Sequence, residues 1–330
     1  MTKDYVVGVD IGGQSSKIGL VDRMGNIVAQ EVMRYGADSP RQYKENDAEL
    51  FIEDLCKYIG RVVGSVGIDS VQGIGIGAPN ANYYTGTIED AANLLWAKGR
   101  VVYLSQGVSK HFNDIKVTIT NDANAAAVGE MTYGAAKGMK NFIEITLGTG
   151  VGSGIVINGE VVYGADGLAG ELGHTVAIRN NGRQCNCGKR GCLEAYASAI
   201  GVARTAREWL EAGLDKKMGN GRESSLRNLQ DITSKDIYDA AKEGDPMAIE
   251  VFDYTAKLLG YMFADFIAFS APEAIILFGG LAKAKEFLLD KIQKYMDDEV
   301  VSFWRGKVKV LPSSLKESDA AILGAASLAW

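Results

Sequence analysis

The order strand, glycine-rich turn, strand, short turn and strand occurs twice in this chain. The first copy predicts strands over 5–10, 17–21 and 27–34, and the second predicts them over 142–147, 153–157 and 160–163. In each copy the glycines lead into another strand, whereas a dinucleotide fingerprint and a P-loop both lead into a helix. We interpret the repeat as an internal duplication, with one copy in each of two lobes.

The rest of the chain alternates helices and strands. Apolar residues at helical spacing predict helices over 46–66, 121–133, 194–212, 234–241, 247–269 and 318–330. Apolar runs predict strands over 71–77, 116–120 and 274–278, and the stretch 214–231 predicts an exposed excursion. At 330 residues, the chain is longer than one ordinary core. Together these elements predict the α/β class, as a two-lobed actin-like ATPase fold with a duplicated β-sheet core and an interdomain cleft.

The predicted lobes have unequal lengths. We expect a small amino-terminal lobe over 1–120, completed by the helix at 318–330. The large lobe would span 121–317 and carry the cysteine-rich loop 174–192.

Composition and charge narrow the functional class. The hydrophobic share is 47% and the charged share 23%, which is typical of a globular protein in water. A net charge of −6 argues against a nucleic-acid surface. A strand follows Met1 almost at once, so we expect no secretory leader, and no apolar run is long enough to span a membrane. These features predict a cytoplasmic protein with reduced cysteines.

Potential metal ligands are concentrated in one loop. The chain has four cysteines and two histidines, and most of them fall between residues 167 and 198: His174, Cys185, Cys187 and Cys192. Three thiolates and one imidazole complete the tetrahedral shell of a structural Zn²⁺ ion. A disulfide would leave one cysteine unpaired and strain the C-x-C pair. Buried free thiols beside a core histidine are the other alternative, and they suit a glycine-rich loop poorly. We expect Gly182, Gly188 and Gly191 to supply positive φ angles there.

Two glycine turns have the character of phosphate-binding sites. Asp10 ends a buried strand and precedes Gly12 and Gly13, whose backbone no side chain shields. Such a turn suits phosphate, with the Asp10 carboxylate facing Mg²⁺, although an ordinary β-turn is the alternative. The turn at 148–152 has the same character in the second copy. The presence of both turns favours phosphate binding.

A second carboxylate, Asp122, follows the strand predicted at 116–120. Because Asn and Asp are preferred helix caps, the pair Asn121 and Asp122 has a purely structural explanation. Ligands of α/β sheets nevertheless gather at the carboxyl ends of strands. Phosphoryl transfer to a hydroxyl needs one carboxylate near the acceptor. We therefore favour Asp122 as a general base.

These motifs together resemble the ROK family of sugar kinases and sugar-responsive repressors. The resemblance covers nearly the whole chain and is carried, in order, by Asp10-Ile-Gly-Gly13, Asn121-Asp122, the turn 148–154, Gly170-Glu-Leu-Gly-His174, Cys185-x-Cys187-Gly-x-x-Gly-Cys192-Leu-Glu194 and Gly279-Gly280. The segment with one histidine and three cysteines is the most specific of these motifs.

The resemblance implies an ATP- and Mg²⁺-dependent kinase that phosphorylates the 6-hydroxyl of a hexose, with glucose as the first candidate. Asp122 would be the base. The sugar would be bound by Asn80, Asn93, Asn121, Asp122, Glu171, His174 and Glu194. The nucleotide and its metal would be bound by Asp10, Gly12, Gly13, Lys17, Thr149, Gly150, Gly279 and Gly280. The family also implies a homodimer and a role in carbohydrate metabolism such as glycolysis.

Two residues depart from the family pattern. Gln14 stands where threonine is usual, and Ser153 interrupts the usual glycine triplet. These departures affect details of phosphate contact. His174 is expected to serve twice, with one ring nitrogen on zinc and the other donating to a sugar oxygen.

Alternatives remain open at this level. Fructose, N-acetylmannosamine or N-acetylglucosamine would suit the same motifs. A sugar-responsive transcriptional regulator is the non-enzymatic alternative, but the family's repressors carry a helix-turn-helix segment before the first strand. Only four residues precede that strand here, so we expect no such segment and no nucleic-acid partner.

Overall fold

The computed structural model describes residues 3–330. Within that range the chain forms thirteen strands: β1 (Tyr5–Ile11), β2 (Ser15–Asp22), β3 (Ile27–Arg34), β4 (Val71–Gly77), β5 (Ala81–Asn82), β6 (Thr87–Glu89), β7 (Val101–Val102), β8 (Val117–Thr120), β9 (Phe142–Leu147), β10 (Val151–Ile157), β11 (Glu160–Val161), β12 (Ala274–Phe278) and β13 (Lys309–Pro312). The strands predicted over 27–34, 71–77, 142–147 and 274–278 match these bounds.

The same described range contains ten α-helices: α1 (Ala48–Val63), α2 (Leu104–His111), α3 (Asp122–Tyr133), α4 (Glu194–Ala197), α5 (Ala199–Glu211), α6 (Leu214–Met218), α7 (Ser234–Lys242), α8 (Pro246–Ser270), α9 (Lys285–Glu299) and α10 (Glu317–Ser327). None of these helices combines the length and apolar character needed to cross a bilayer.

The chain divides into two compact units. The first unit contains the chain up to Gly138 together with Gly154–Gly170 and Ser314–Trp330, and the second contains Met139–Ser153 and Glu171–Ser313. The first unit thus includes α3 and α10 in addition to the first sheet. The functional lobes expected over 1–120 with 318–330, and over 121–317, remain predictions.

The first unit is built on a mixed five-stranded sheet. Its strand order is β3-β2-β1-β4-β8, with β1 antiparallel to β2 and parallel to β4, and β4 parallel to β8. Alternation along β1 sends successive side chains to opposite faces. Val7 and Val9 pack in the large cluster that contains Phe51 and Leu55 of α1, whereas Val6 packs with Ile322 of α10.

Helix α10 lies with its backbone directly against the sheet. A Cβ atom at Gly8 would be 2.2 Å from the carbonyl oxygen of Ile322, and one at Gly75 would be 1.8 Å from that of Ala325. Only glycine fits at these two strand positions. At the end of the chain the Trp330 indole donates a hydrogen bond to the Tyr133 hydroxyl at 2.6 Å. Glycines on the strands therefore allow the backbone of α10 to approach the sheet closely.

The structure differs from the predictions in several segments. The stretch between the strands predicted over 71–77 and 116–120, for which no strand or helix was predicted, contains the small antiparallel sheet β5-β6-β7 and helix α2. The single helix predicted over 194–212 is interrupted at Ser198, whose side chain accepts a hydrogen bond from the Gly201 amide and begins α5. Such short strands and helix breaks depend on contacts distant in sequence.

The second unit contains the other parallel strands. Strand β12 is parallel to both β9 and β13, within a sheet of order β11-β10-β9-β12-β13, and β10 begins in this unit. The apolar helix α8 begins at the cap Asp245, whose side chain accepts hydrogen bonds from the amides of Met247 and Ala248. The excursion predicted over 214–231 is not simply exposed, because buried Asp215 pairs there with Arg227 at 2.5 Å.

Candidate active site

In the first unit, carboxylates lie at the carboxyl end of the three parallel strands β1, β4 and β8. Asp10 of β1 lies opposite Gly77 of β4, and Gly77 lies opposite Thr120 of β8. Asp122 follows Thr120 by two residues. The structure therefore places both predicted acidic residues of this unit at the carboxyl end of the sheet, where α/β proteins bind ligands.

The Asp10 carboxyl group is held in an electrostatically unusual place. Burial raises its pKa to about 6, the charge of Asp122 adds to the increase, and Lys17 opposes it. Lys17 stands directly opposite Asp10 in the β1–β2 ladder. Two nearby carboxylates with a single lysine form an oxygen-rich site with spare negative charge. Such a donor set fits a Mg²⁺ ion, which favours carboxylates.

At the start of α3, the residue that caps the helix, Asn121, is different from the catalytic candidate, Asp122. The Asn121 side chain is the helix cap, since its Oδ1 accepts a hydrogen bond from the Ala123 amide at 2.8 Å. Asp122 is the first helical residue and its side chain is accessible to solvent. Desolvation by the surrounding protein raises the pKa of Asp122. The hydrogen bond from the Ala123 amide to its Oδ1, at 2.9 Å, opposes this increase. Asp122 is thus not needed to cap the helix.

The glycine turn after β1 is fixed by a tyrosine that the sequence did not single out. The Gly12 amide donates to the Ser15 carbonyl at 2.9 Å, and the Gly12 carbonyl accepts from the Tyr35 hydroxyl at 2.6 Å. The Gly12 amide is therefore already engaged within the turn. Gly13 lies against Asn93, because a Cβ at Gly13 would be 3.2 Å from the Asn93 carbonyl oxygen. The turn and Asn93 are neighbours in this unit.

Asn80 is placed in a strained but well-bonded position. Its φ is 52°, in the left-handed region that asparagine tolerates better than most residues. Its Nδ2 donates to the carbonyl oxygens of Glu89 and Asp90, at 3.1 Å each. Any contact of the Asn80 side chain with a sugar would therefore use its amide oxygen.

In the second unit, the glycine turn 148–152 is attached to Glu194. The Glu194 Oε2 atom accepts a hydrogen bond from the Val151 amide at 3.0 Å, and Oε1 lies 3.6 Å from the Cys185 sulfur. A cavity of about 90 Å³ is bordered by Thr149, Cys185 and Glu194. The structure thus groups the turn, one candidate sugar ligand and the cysteine-rich loop.

Two other predicted residues, Gly279 and Gly280, follow β12 near the carboxyl end of β9. Phe278, the final residue of β12, pairs with Thr146 of β9. Gly279 follows with φ of 103°, and a Cβ there would be 2.6 Å from the Leu147 carbonyl oxygen. Gly280 has open space around its α-carbon. Glycine at 279 therefore lets the chain turn tightly beside the end of β9.

The cysteine-rich loop forms a compact four-ligand cluster. The ligand atoms of His174, Cys185, Cys187 and Cys192 all lie within 4.8 Å of one another. The Cys187 and Cys192 sulfurs are 3.6 Å apart, and Cys185 Sγ is 3.8 Å from His174 Nδ1. Zn–S bonds of ~2.3 Å in a tetrahedron place sulfurs ~3.8 Å apart. The cluster therefore fits a tetrahedral zinc ion.

His174 faces two ways, as the dual-use hypothesis requires. Its Nδ1 atom faces Cys185, and its Nε2 atom is 3.9 Å from a carboxylate oxygen of Glu171. Burial raises the pKa of the Cys185 thiol to about 12, so a thiolate there needs a cation beside it. The second nitrogen of His174 and the exposed Glu171 carboxylate thus lie side by side.

The glycines of the loop serve two different purposes. Gly188 and Gly191 have φ angles of 89° and 81°, as predicted. The expectation for Gly182 is wrong, because its φ is not positive. Its role is close packing, since a Cβ there would lie 2.5 Å from the α-carbon of Gly191. Asn181 takes the left-handed conformation beside it.

Arg183 anchors the loop and was missed by the sequence analysis. Its side chain is only 8% exposed and bonds to Glu208 of α5 at 2.6 Å and to the carbonyl oxygen of Ala195 at 3.0 Å. Burial alone would raise the pKa of Glu208, but hydrogen bonds from Arg183 and Arg204 lower it. A single arginine in a glycine-rich loop carries no sequence signal for this role.

The departure at Ser153 has a local explanation. Its hydroxyl oxygen accepts a hydrogen bond from the Leu172 amide at 3.1 Å, which ties β10 to the turn before His174. At the other departure, the backbone carbonyl of Gln14 accepts hydrogen bonds from Tyr35 and Gly36. These contacts support the two turns without requiring a particular ligand.

A sequence profile of the ROK family matches residues 6–330. The chain belongs to the ROK family. This membership confirms the resemblance inferred from the motifs.

Individual ROK relatives are similar over most of their length. A glucokinase of Halalkalibacterium halodurans is 37% identical over 303 residues, which cover 90% of this chain and 86% of that protein. A ROK family glucokinase structure from Streptomyces griseus, in complex with glucose and AMPPNP, is 32% identical, with a TM-score of 0.75 and 98% of each chain covered. A xylose repressor of Caldicellulosiruptor bescii is 30% identical over 97% of this chain and 76% of the repressor. The predicted fold class is thereby confirmed.

Proposed function

We propose that this ROK protein is an ATP-dependent hexose kinase that phosphorylates the 6-hydroxyl group, with glucose as its preferred substrate. The observation that carries the proposal is the Asp122 carboxylate, which is accessible just after β8, while the side chain of Asn121 is the cap of α3. Similarity to named glucokinases, one solved with glucose and a nucleotide, supports both substrates.

In the proposed reaction, the Asp122 carboxylate accepts the proton of the sugar 6-hydroxyl as that oxygen bonds to the γ-phosphorus of ATP. The bond from phosphorus to the bridging oxygen breaks, and ADP leaves with that oxygen. Mg²⁺, when bound, neutralises charge on the phosphates. Asp10 would hold this ion, and the raised pKa of Asp10 would fall as the cation binds.

The remaining roles are assigned by family and position. We assign sugar contacts to Asn80, Asn93, Asn121, Glu171, His174 and Glu194. We assign nucleotide contacts to Gly12, Gly13, Lys17, Thr149, Gly150, Gly279 and Gly280. Because the Gly12 amide is engaged by Ser15, the Gly13 backbone is the better candidate for direct contact with phosphate. A structural zinc ion on the four-ligand cluster, a homodimer, a cytoplasmic location and a role in glycolysis complete the proposal.

A coupled assay of ADP release tests the proposal. Purified protein would receive ATP, Mg²⁺ and one of glucose, fructose, mannose, N-acetylmannosamine or N-acetylglucosamine, and a reaction without sugar would be the control. We expect the largest kcat/KM with glucose. A larger kcat/KM with another hexose would change the proposed substrate but leave the proposed reaction unchanged.

A sugar-responsive regulator is the second candidate, because the xylose repressor is also similar along nearly the whole chain. A regulator of this kind would bind sugar without consuming ATP. Sugar binding observed by calorimetry, together with no sugar-dependent ADP release for any hexose, would favour it over the kinase.

A further inference from the structure

The glycine turn 148–152 is fastened at two points to one short segment, residues 194–199. At the first point the Val151 amide donates to Glu194 Oε2 at 3.0 Å. At the second, the Gly148 carbonyl accepts from the Ala199 amide at 2.8 Å. A third hydrogen bond, from the Gly148 amide to the Gly150 carbonyl at 3.1 Å, closes the turn on itself. The conformation of the turn therefore depends on where this segment lies.

The segment 194–199 closely follows a candidate zinc ligand, Cys192. Cys192 is separated from Glu194 by one residue, and its carbonyl oxygen accepts a hydrogen bond from the Ala195 amide at 3.1 Å. Arg183, from the same cysteine-rich loop, donates to the Ala195 carbonyl at 3.0 Å. Glu194 Oε1 also lies 3.6 Å from the Cys185 sulfur. Any displacement of the loop would thus move Glu194.

The glycine at position 150 is explained by this carboxylate. A Cβ atom at Gly150 would lie 2.5 Å from Glu194 Oε2. Apart from the two neighbouring residues, the only described atoms within 4 Å of it belong to the Glu194 carboxylate group. A side chain at position 150 would therefore displace the Glu194 carboxylate. The turn and the carboxylate are packed as one piece.

We propose that Glu194 is a positioning residue for the glycine turn 148–152. Through Glu194, an ordered cysteine-rich loop would hold the backbone of the turn in the conformation that binds nucleotide. The inference rests on the proposed function, because it takes the turn 148–152 to contact ATP phosphates. It extends that function, because Glu194, which we assign to the sugar, and the cysteine-rich loop before it would also determine the affinity for nucleotide.

Two readouts separate this role from a general loss of stability. Hydrogen exchange of the peptide containing Val151 reports the turn without any ligand, and calorimetry with Mg²⁺ and AMPPNP in the absence of sugar reports nucleotide affinity. We expect Glu194→Ala to speed exchange at Val151 and to weaken AMPPNP binding by ~10-fold, the effect of losing a hydrogen bond to a charged group. Glu194→Gln, whose amide oxygen still accepts the Val151 amide, should restore most of both.

Glu273→Ala is the matched control. Like Glu194, Glu273 accepts backbone hydrogen bonds with a carboxylate oxygen, in this case from the amides of Lys140 and Asn141 at 2.8 and 2.9 Å, but at the opposite end of β9. We expect this variant to leave Val151 exchange and AMPPNP affinity unchanged. Equal effects of Glu273→Ala and Glu194→Ala would overturn the proposal, and so would no effect of Glu194→Ala on Val151 exchange.

A double-mutant cycle tests the packing directly. Gly150→Ala should weaken AMPPNP binding strongly in the wild-type background, because its methyl group displaces Glu194. In the Glu194→Ala background the space is open, so the same substitution should cost at least several-fold less. Additive effects would contradict the proposal.

Zinc removal by a chelator should speed exchange at Val151 in the wild type and have little added effect in Glu194→Ala. A wild-type Val151 unaffected by chelation would contradict transmission from the loop. These exchange results do not require turnover, so a protein that phosphorylates no hexose would refute the proposed function and leave the positioning test decisive. Hexose kinase activity with an unresponsive Val151 would refute the positioning role alone.

Discussion

Asp10 and Lys17 stand directly opposite each other in the antiparallel ladder of β1 and β2. Residues paired in this way direct their side chains to the same face of the sheet. The lysine lowers the pKa of Asp10, yet burial and the charge of Asp122 outweigh it, and the pKa rises to about 6. Ionisation of Asp10 is therefore less favourable in the protein than in water, and a bound cation would offset this cost.

This balance predicts a pH effect on stability. Because the folded pKa of Asp10 exceeds its unfolded value, the folded protein binds more protons, and Asp10 stabilises the fold most at low pH. That contribution is lost as the pH rises from about 4 to about 6, and its size is about 3 kcal/mol. Asp10→Asn should flatten this slope in metal-free protein. Urea titrations of both proteins between pH 4 and 7 would measure the difference, and parallel slopes would contradict the assignment.

The proposed base predicts a separation of turnover from binding. Asp122→Asn should reduce kcat by ~10²-fold or more, the range of general-base catalysis, while KM for the sugar changes little. Helix α3 should remain stable, because the cap is Asn121. Asn121→Ala is the complementary variant and should lower the free energy of unfolding by ~1 kcal/mol. Turnover near the wild-type rate in Asp122→Asn would remove Asp122 from the mechanism.

The four-ligand cluster predicts about one Zn²⁺ ion per chain. Cys187→Ser should abolish metal binding and lower the melting temperature, because metal binding at a structural site contributes to folding. Cys56→Ala is the control, since Cys56 is a buried thiol of α1 outside the cluster. It should destabilise the core yet keep the metal. Elemental analysis and thermal unfolding of the three proteins provide the measurement, and a Cys187→Ser protein with full zinc content would refute the site.

The contact between β4 and α10 predicts opposite effects of the same substitution at two glycines. Gly75→Ala should destabilise the protein by ~3 kcal/mol or more, because the new methyl group meets the Ala325 carbonyl. Gly60→Ala, in α1 with open space around it, should stabilise by ~0.5–1 kcal/mol through helix propensity. Chemical denaturation gives both values. Destabilisation of equal size at both positions would show that the close packing is not the cause.

Local patterns predicted the elements that depend on local physics. The strand over Val71–Gly77 is an apolar run bounded by turns, and the helix over Asp122–Tyr133 follows a good cap, so both were found. Ser198 was missed because the apolar periodicity continues past it, whereas the hydrogen bond to Gly201 that breaks the helix is a matter of geometry. Strands β5 to β7 have two or three residues each and exist because they pair with one another.

The candidate site was predictable to the extent that its chemistry is local in sequence. Spacing and residue type alone indicate His174 and the three cysteines as metal ligands. The hydrogen bond from Val151 to Glu194 joins residues far apart in the chain, and no pattern within either segment points to it. The engagement of the Gly12 amide by Ser15 was also hidden, because a glycine turn has the same sequence whether or not its amides are free.

The way α10 lies on β1 and β4 also constrains the order in which the protein can fold during synthesis. The ribosome makes the first sheet early, but residues 314–330 emerge only after the whole second unit. Until then Val6 and Val21, on one face of the first sheet, lack the residues of α10 that pack against them. Domains usually fold as units from the amino terminus during translation. Here the second unit has all of its strands and helices available before the first, so the part of the chain that begins first is completed later.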